Sequence, residues 1–307
     1  RLQTKKDVGI SNAVSIANDI RIQEALKEND REKAISSLKS LSINLNHNTP
    51  FKNVKVHIHT KDNHSFVRAW KLDKHGDNLS AFRKSIVSVN KKLMAVNTFE
   101  IGKAGLSLRS VVPVLDEKST HLGSLEFIQG INSVAKSFYN NSDGFMLLMD
   151  TTVSQVKQFK KEKVFQEKYL ISQKFLTEEF LEDAKTINMN SLLNNAFVIS
   201  KKYLYTHVNI KDFKGKNLGI ALVGAPLAKV NLAIDISKDQ TNIALIIMVI
   251  LILLILFSVM ILLRIAVINP ISKFQKGLLN FFDYLNRKHE YVEKLEVVDG
   301  DEIGKMA

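Results

Sequence analysis

The stretch that decides the fold is Val56–Ile86, VHIHTKDNHSFVRAWKLDKHGDNLSAFRKSI. Val54, Val56 and Ile58 alternate with Lys55, His57 and His59, the period of a half-buried strand. DNHS then makes a turn, and Phe66 to Leu72 reads as the second strand of a hairpin, with Phe66, Arg68 and Trp70 on one face. Leu79 to Val89 reads as a short helix with Asn78 as its N-cap. Downstream, Ala95 to Val114 reads as strands broken at Gly102 and Gly105, and a polar turn, DEKSTH, leads into another strand, LGSLEFI.

Upstream, Ile10, Ala13, Ile16, Ala17, Ile20, Ala25, Ile35, Leu38 and Leu41 recur at threes and fours, as on an amphipathic helix from Val8 to about Leu45. The polar patch KENDREK, Lys27 to Lys33, divides it in two. The middle, Gly130 to Asn195, reads as largely helical apart from the strand FMLLMD, Phe145 to Asp150, and QVKQFKKEKVFQEKY reads as a solvated helix face. DEKSTHLGSLEF (Asp116 to Phe127) is echoed 96 residues later by DFKGKNLGIALV (Asp212 to Val223). If the echo is structural, two similar sheet modules follow one another.

Ile243–Leu263 is an apolar run without charge, proline or glycine. As a helix at about 1.5 Å per residue it is about 31 Å long, which matches a bilayer core. Of the 307 residues, 242 precede this span and 44 follow it. The excess of 43 basic over 31 acidic residues lies ahead of the span, because the last 44 carry seven of each sign. The positives are scattered among Asp and Glu without aromatic interleaving, which argues against a nucleic-acid surface. The absence of Cys is compatible with an oxidising compartment. After the span, Ile271, Phe274, Leu278, Phe281 and Leu285 form a heptad seam behind Pro270.

Arg is scarce, with eight in the chain, yet Arg68, Arg83 and Arg109 fall within 42 residues. A planar guanidinium grips a carboxylate with two parallel hydrogen bonds, which lysine cannot do. With Trp70 as an apolar wall, these residues have the makings of a small-ligand pocket. Two readings stand for Arg68: ligand contact, or a pair with Asp77 or Glu126 that ties helix to sheet. Arg109 reads either as a ligand contact or as a surface strand residue. Glu126, in an apolar strand, must pair with an Arg or receive a ligand's ammonium, and Asp150 poses the same choice. His57 and His59 have a spacing seen in metal sites, but two ligands do not make a site. His64, His75 and His121 lie in turns without a matching carboxylate pattern, so neither a metal nor a cofactor is expected. Gly102 and Gly105 form no phosphate loop. No catalytic residue is expected, because no nucleophile stands beside a base.

Two resemblances extend this reading. Val56–Ile86, with Ser65, Phe66, Arg68 and Trp70 in a Ser-Phe-x-Arg-x-Trp pattern, together with Glu100–Gly130, resembles the double Cache sensory domain of bacterial receptors. It implies an α+β fold: a long N-terminal helix (residues 1–50) carrying two PAS-like antiparallel-sheet modules, a membrane-distal one over 51–150 and a membrane-proximal one over 151–241. The C-terminal piece, with Asn269-Pro270, FFDYLNRKHE and then DEIGKMA, resembles the HAMP domain of chemoreceptors, which implies a transmembrane helix over 242–264 and a partial HAMP coiled coil over 265–307.

Together these imply a methyl-accepting chemotaxis receptor that binds a small molecule such as a carboxylate or amino acid. Arg68, Trp70, Arg83, Asp77, Arg109 and Glu126 are the candidate binding residues. The receptor is expected as a homodimer in the bacterial inner membrane, with a periplasmic sensor, a cytoplasmic C-terminus and signalling partners, and a first membrane helix ahead of Arg1. The alternative is the sensory half of a histidine kinase or diguanylate cyclase.

Overall fold

The computed structural model describes residues 1–49, 55–102, 105–154, 163–288, 290–292 and 305. Residues 1–230 form one compact unit and 231–307 another. The first unit begins with three helices, α1 (Leu2–Ala17), α2 (Ile20–Glu28) and α3 (Arg31–Asn48). Where the apolar period with its break at KENDREK implies two helices, the chain forms three. Asp19 and Asp30 each turn a side chain back onto a backbone N–H, of Arg21 and of Lys33, and so begin new helices. The second break falls inside KENDREK as the sequence implies. The first is set by the Asn18-Asp19 pair, which the apolar period runs straight through.

Five strands follow with one helix among them: β1 (Lys55–Thr60), β2 (Ser65–Arg68), α4 (Lys84–Lys92), β3 (Val96–Gly102), β4 (Gly105–Leu115) and β5 (His121–Gln129). They form an antiparallel sheet in the order β2-β1-β5-β4-β3. Alternation assigns the two faces. Val56, Ile58, Val112, Val114, Leu125 and Phe127 pack beneath the N-terminal helices with Ala13, Ile16, Ile22 and Leu38. The opposite face carries His57, His59, Arg109 and Glu126, and α4 is fastened to it through a small cluster of Leu79, Ile86, Val89 and Val111.

Two details depart from the sequence reading here. The second hairpin strand stops at Arg68, because Lys71 N–H closes a turn onto the Arg68 carbonyl, and Trp70 lies in that turn. The helix expected from Leu79 starts at Lys84, because Asn78 accepts from Ser80 N–H and caps only a local turn.

After α5 (Asn132–Tyr139), the chain enters a six-stranded antiparallel sheet made of β6 (Gly144–Asp150), β7 (Val164–Phe165), β8 (Tyr169–Ile171), β9 (Val198–Ile199), β10 (Tyr203–Lys211) and β11 (Asn217–Pro226). Its order is β7-β8-β6-β11-β10-β9. The helices α6 (Glu178–Lys185) and α7 (Met189–Asn194) pack on it. The change of sheet therefore falls between Gln129 and Gly144, ahead of the boundary at 150 placed by the sequence reading. FMLLMD, expected in the first module, pairs instead with β8 and β11. The segment QVKQFKKEKVFQEKY, expected as a helix face, ends in strand residues Val164, Phe165 and Tyr169, and its positions 155–162 lie outside the described residues.

The internal echo is a structural repeat of one hairpin. Asp116 Oδ1 accepts from Lys118 and Thr120 N–H, and Asp212 Oδ1 accepts from Lys214 and Lys216 N–H. Both hairpins slip register just after a strand residue pairs with glycine, Val114 with Gly123 and Ile210 with Gly219. A side chain at either glycine would run into the carbonyl of the neighbouring strand, of His59 or Leu148. That close approach explains the Leu-Gly pair in both copies.

From Leu227 the chain is helical through α8 (Leu227–Leu263), and α9 spans Asn269–Leu285. Asp235 to Thr241, just ahead of the apolar run, lies inside α8. A wider π turn at Arg264–Ile268 joins the two helices, where Asn269 N–H reaches back to the Arg264 carbonyl. Pro270, one residue on, has no N–H to offer the carbonyl of Ala266, so the ladder loosens there. The α8–α9 helix is long and apolar enough to cross a membrane. The DEIG segment (301–304) lies outside the described residues.

Candidate functional site

On the α4 side of the first sheet, four largely buried charged side chains converge. Glu126, fully buried on β5, receives Arg83 Nη2 on Oε1, and Arg109 Nη1 donates to the same oxygen at 2.9 Å. Behind them Glu100 of β3 lies 3.0 Å from Arg83 Nε and 3.9 Å from Arg109 Nε. Arg83 is delivered at the start of α4, Arg109 by β4, and each is less than a tenth exposed. Burial alone would raise the Glu126 carboxyl, but the Arg109 and Arg83 charges overcome it and hold the group well below the usual carboxylate range. Burial and the neighbouring Arg109 charge together pull the Arg83 guanidinium down from its ordinary value.

The sequence-derived candidates divide into two groups. Arg83, Arg109 and Glu126 meet in this cluster, so Arg109 is no surface residue and Glu126 takes the Arg-paired reading. Arg68 instead makes a two-pronged pair with Asp77, at 2.6 and 2.8 Å, and donates to the Lys74 carbonyl at 2.7 Å. Of the two partners weighed for Arg68, Asp77 is the one it meets; this ties the turn after β2 to its neighbour. Trp70 is 41% exposed, edge-on to the His57 ring at 5.8 Å and beneath Lys55 Nζ at 5.9 Å. Asp150 caps the turn that follows it by accepting from Thr152.

A cavity of about 1260 Å³ opens against this face. Arg68, Trp70, Arg83 and Arg109 line it, whereas Asp77 and Glu126 are not in its wall and act as the braces behind. The wall continues onto the second sheet's loops through Lys174, Phe213 and Lys216, and onto α1 through Lys5. Eleven Lys and Arg side chains line it against two acids, Glu100 and Asp212. The guanidiniums thus face the cavity already aligned by carboxylates at their backs, and the surrounding lysines supply the unbalanced positive charge. Such a wall favours an anion. Lys5 is a half-buried contributor whose ammonium donates to Ser133 Oγ at 2.8 Å; its partial burial lowers its pKa.

Sequence reading passed over Glu100 and Lys5. Glu100 sits in a strand of more mixed polarity than that of Glu126, but the same argument from the cost of burying an acid applies to it. Lys5 gives no such signal, since only the packing of α1 brings it to the cavity.

The family model described as a double sensory domain of two-component sensor kinases matches residues 2–230. By structure, the chain is similar to the sensor domain of the Vibrio cholerae histidine kinase DctB, at 12% identity over 73% of this chain and 91% of that one, with a TM-score of 0.45. It is also similar to a domain of a putative sensory box/GGDEF family protein from Vibrio parahaemolyticus (12% identity, 72% and 89% covered, TM-score 0.42). A third likeness is to methyl-accepting chemotaxis protein X (12% identity, 73% and 92% covered, TM-score 0.38). No curated protein matches the chain.

Proposed function

The chain belongs to the dCache_3 family of double sensory domains, and from that premise we propose that it senses a small anionic molecule, a carboxylate or an amino acid, in the cavity beside Arg83 and Arg109. The observation that supports this reading is the pair of buried guanidiniums braced by Glu126 and Glu100 at the edge of a cavity whose wall holds eleven cations and two acids. Trp70 and Arg68 form its outer rim.

In this reading the sensor is periplasmic and dimeric. Ligand affinity differs between two arrangements of the dimer, and the difference reaches the membrane through α1 and α8. Residues 242–264 cross the inner membrane, and the heptad seam of α9 begins a HAMP-like coupling element. The chemoreceptor wording of FFDYLNRKHE favours a methyl-accepting output. The family's own description favours a histidine kinase as the second reading. Assaying the full-length receptor for autophosphorylation against glutamate methylation separates the two.

Calorimetric titration of the chain with a panel of organic acids and amino acids tests the ligand class. Saturable binding of an anionic member is expected, weakened by salt and at least tenfold weaker in Arg83→Lys. Binding only of neutral or cationic members would overturn the reading.

A further inference from the structure

Strand register assembles a second chemistry next to the guanidinium pair. His57 and His59 share one face of β1, and Glu126 stands directly across from His57 on β5. Each of these three buried residues places one ligand atom within 4.8 Å of those of the other two. The outer ring nitrogens are occupied, with His57 Nε2 2.8 Å from Ser65 Oγ and His59 Nδ1 3.0 Å from Ser124 Oγ. Left facing one another are His57 Nδ1, 3.6 Å from Glu126 Oε2, and His59 Nε2. Arg83 and Arg109 both hold Oε1 of Glu126, so Oε2 is the oxygen turned to the histidines. Neither Glu126 Oε2 nor His59 Nε2 has a hydrogen-bond partner among the described residues.

We infer that His57, His59 and Glu126 form a binding site for a divalent transition-metal ion of the zinc type. Two imidazoles and one carboxylate are a ligand set for Zn²⁺, Ni²⁺ or Co²⁺ rather than for the oxygen-seeking Ca²⁺ or Mg²⁺. A hydroxyl on the far nitrogen of each ring is the outer support that fixes ring orientation and leaves the inner nitrogen for the metal. A plain His57–Glu126 hydrogen bond would employ two of the three facing atoms and leave His59 Nε2 buried without a partner. An ion satisfies all three.

Burial lowers the pKa of both rings, against the opposing pull of Glu126 on His57. Bonds of about 2.0–2.2 Å place tetrahedral ligands roughly 3.3–3.6 Å apart, so the triangle closes by roughly 1 Å when the ion enters. His57 lines the cavity and gives the ion its way in. Arg83 and Arg109 oppose the added charge while Glu100 offsets it, which sets the affinity below that of a site without them.

The test uses the full chain in detergent, stripped with chelator and then titrated with Zn²⁺ and with Co²⁺. Expected are one equivalent of Zn²⁺ retained per chain after desalting, a visible Co²⁺ ligand-field band that Zn²⁺ displaces, and a Zn²⁺-dependent rise in melting temperature. His59→Gln, which can keep the bond to Ser124, should lose the retained equivalent and the band, whereas His75→Gln at an exposed turn should keep both. Absence of a retained equivalent in the native chain, or the same equivalent and band in His59→Gln, would overturn the inference.

Discussion

The two modules use one hairpin framework for opposite purposes. Aligned on the repeated hairpin, Arg109 and Glu126 of the first sheet correspond to Tyr205 and Leu222 of the second, and Ser124 corresponds to Ile220. Through the strands that pair with them, His57 and His59 correspond to Met146 and Leu148. The second set lies in a continuous apolar core under α6 and α7, filled by Phe180. The first set is a nest of charges and imidazoles beside a cavity. The framework is thus satisfied by apolar side chains and, at Tyr205, by an aromatic ring whose hydroxyl donates to Asp183. A buried ion network is often no better than a packed core in stability terms, which is consistent with the proposal that the charges of the first module serve binding.

The comparison breaks most visibly if one module is given a single residue of the other. Glu126→Leu installs the second module's residue but leaves Arg83 and Arg109 buried without their shared acid. A loss of about 3–5 kcal/mol is expected from denaturant unfolding. An effect below about 1 kcal/mol would mean that the guanidiniums reach water.

The next largest effect is in acid. Because the folded-state pKa of Glu126 lies below its ordinary 4.5, its ionised form contributes stability that is complete above about pH 4.5 and is lost as the pH falls through the depressed folded value. Asp77 acts in the same direction, its pKa lowered first by the hydrogen bonds from Arg68. Melting curves between pH 7 and pH 3 should show the first module failing before the second, and Glu126→Gln, already weakened at neutral pH, should lose less on acidification.

The smallest effect tests the likeness rather than the difference. Asp116→Ala and Asp212→Ala each remove the same two backbone bonds from the same turn. Each should lower the melting temperature by less than about 3 °C, and by matching amounts. A large disparity would show that the two turns are alike in geometry but not in role.

Much of this architecture is legible in the sequence, and the exceptions have a common cause. The strands of the first sheet, the repeated Asp-turn-Leu-Gly unit and the apolar span are local patterns, and local patterns survive in one dimension. The break at Asp19 leaves no trace in the pattern because the apolar period continues across it. Strands β7 and β8 are too short to carry a period. The strand β6 was read correctly but assigned to the first module, since its partners in β8 and β11 lie far along the chain. Of the binding candidates, the three arginines stood out by scarcity. Of their braces, Glu126 is marked by the apolar strand LGSLEFI around it, whereas Glu100 lies in a strand of more mixed polarity. The closing of His57 and His59 onto Glu126 depends on the register between β1 and β5, which spacing in sequence does not reveal.

The most direct test of the division of labour is paired calorimetry with the best-binding anion on the native chain, Arg109→Lys and Tyr205→Phe. Lysine keeps the buried charge beside Glu126 but lacks the planar fork, so affinity should fall at least tenfold. Phenylalanine at the corresponding position of the second module removes only the hydroxyl that donates to Asp183, so affinity should stay within about twofold of native, because this apolar core lies away from the cavity. Equal affinities for the native chain and Arg109→Lys, or a tenfold loss in Tyr205→Phe, would contradict the assignment of sensing to the charged module.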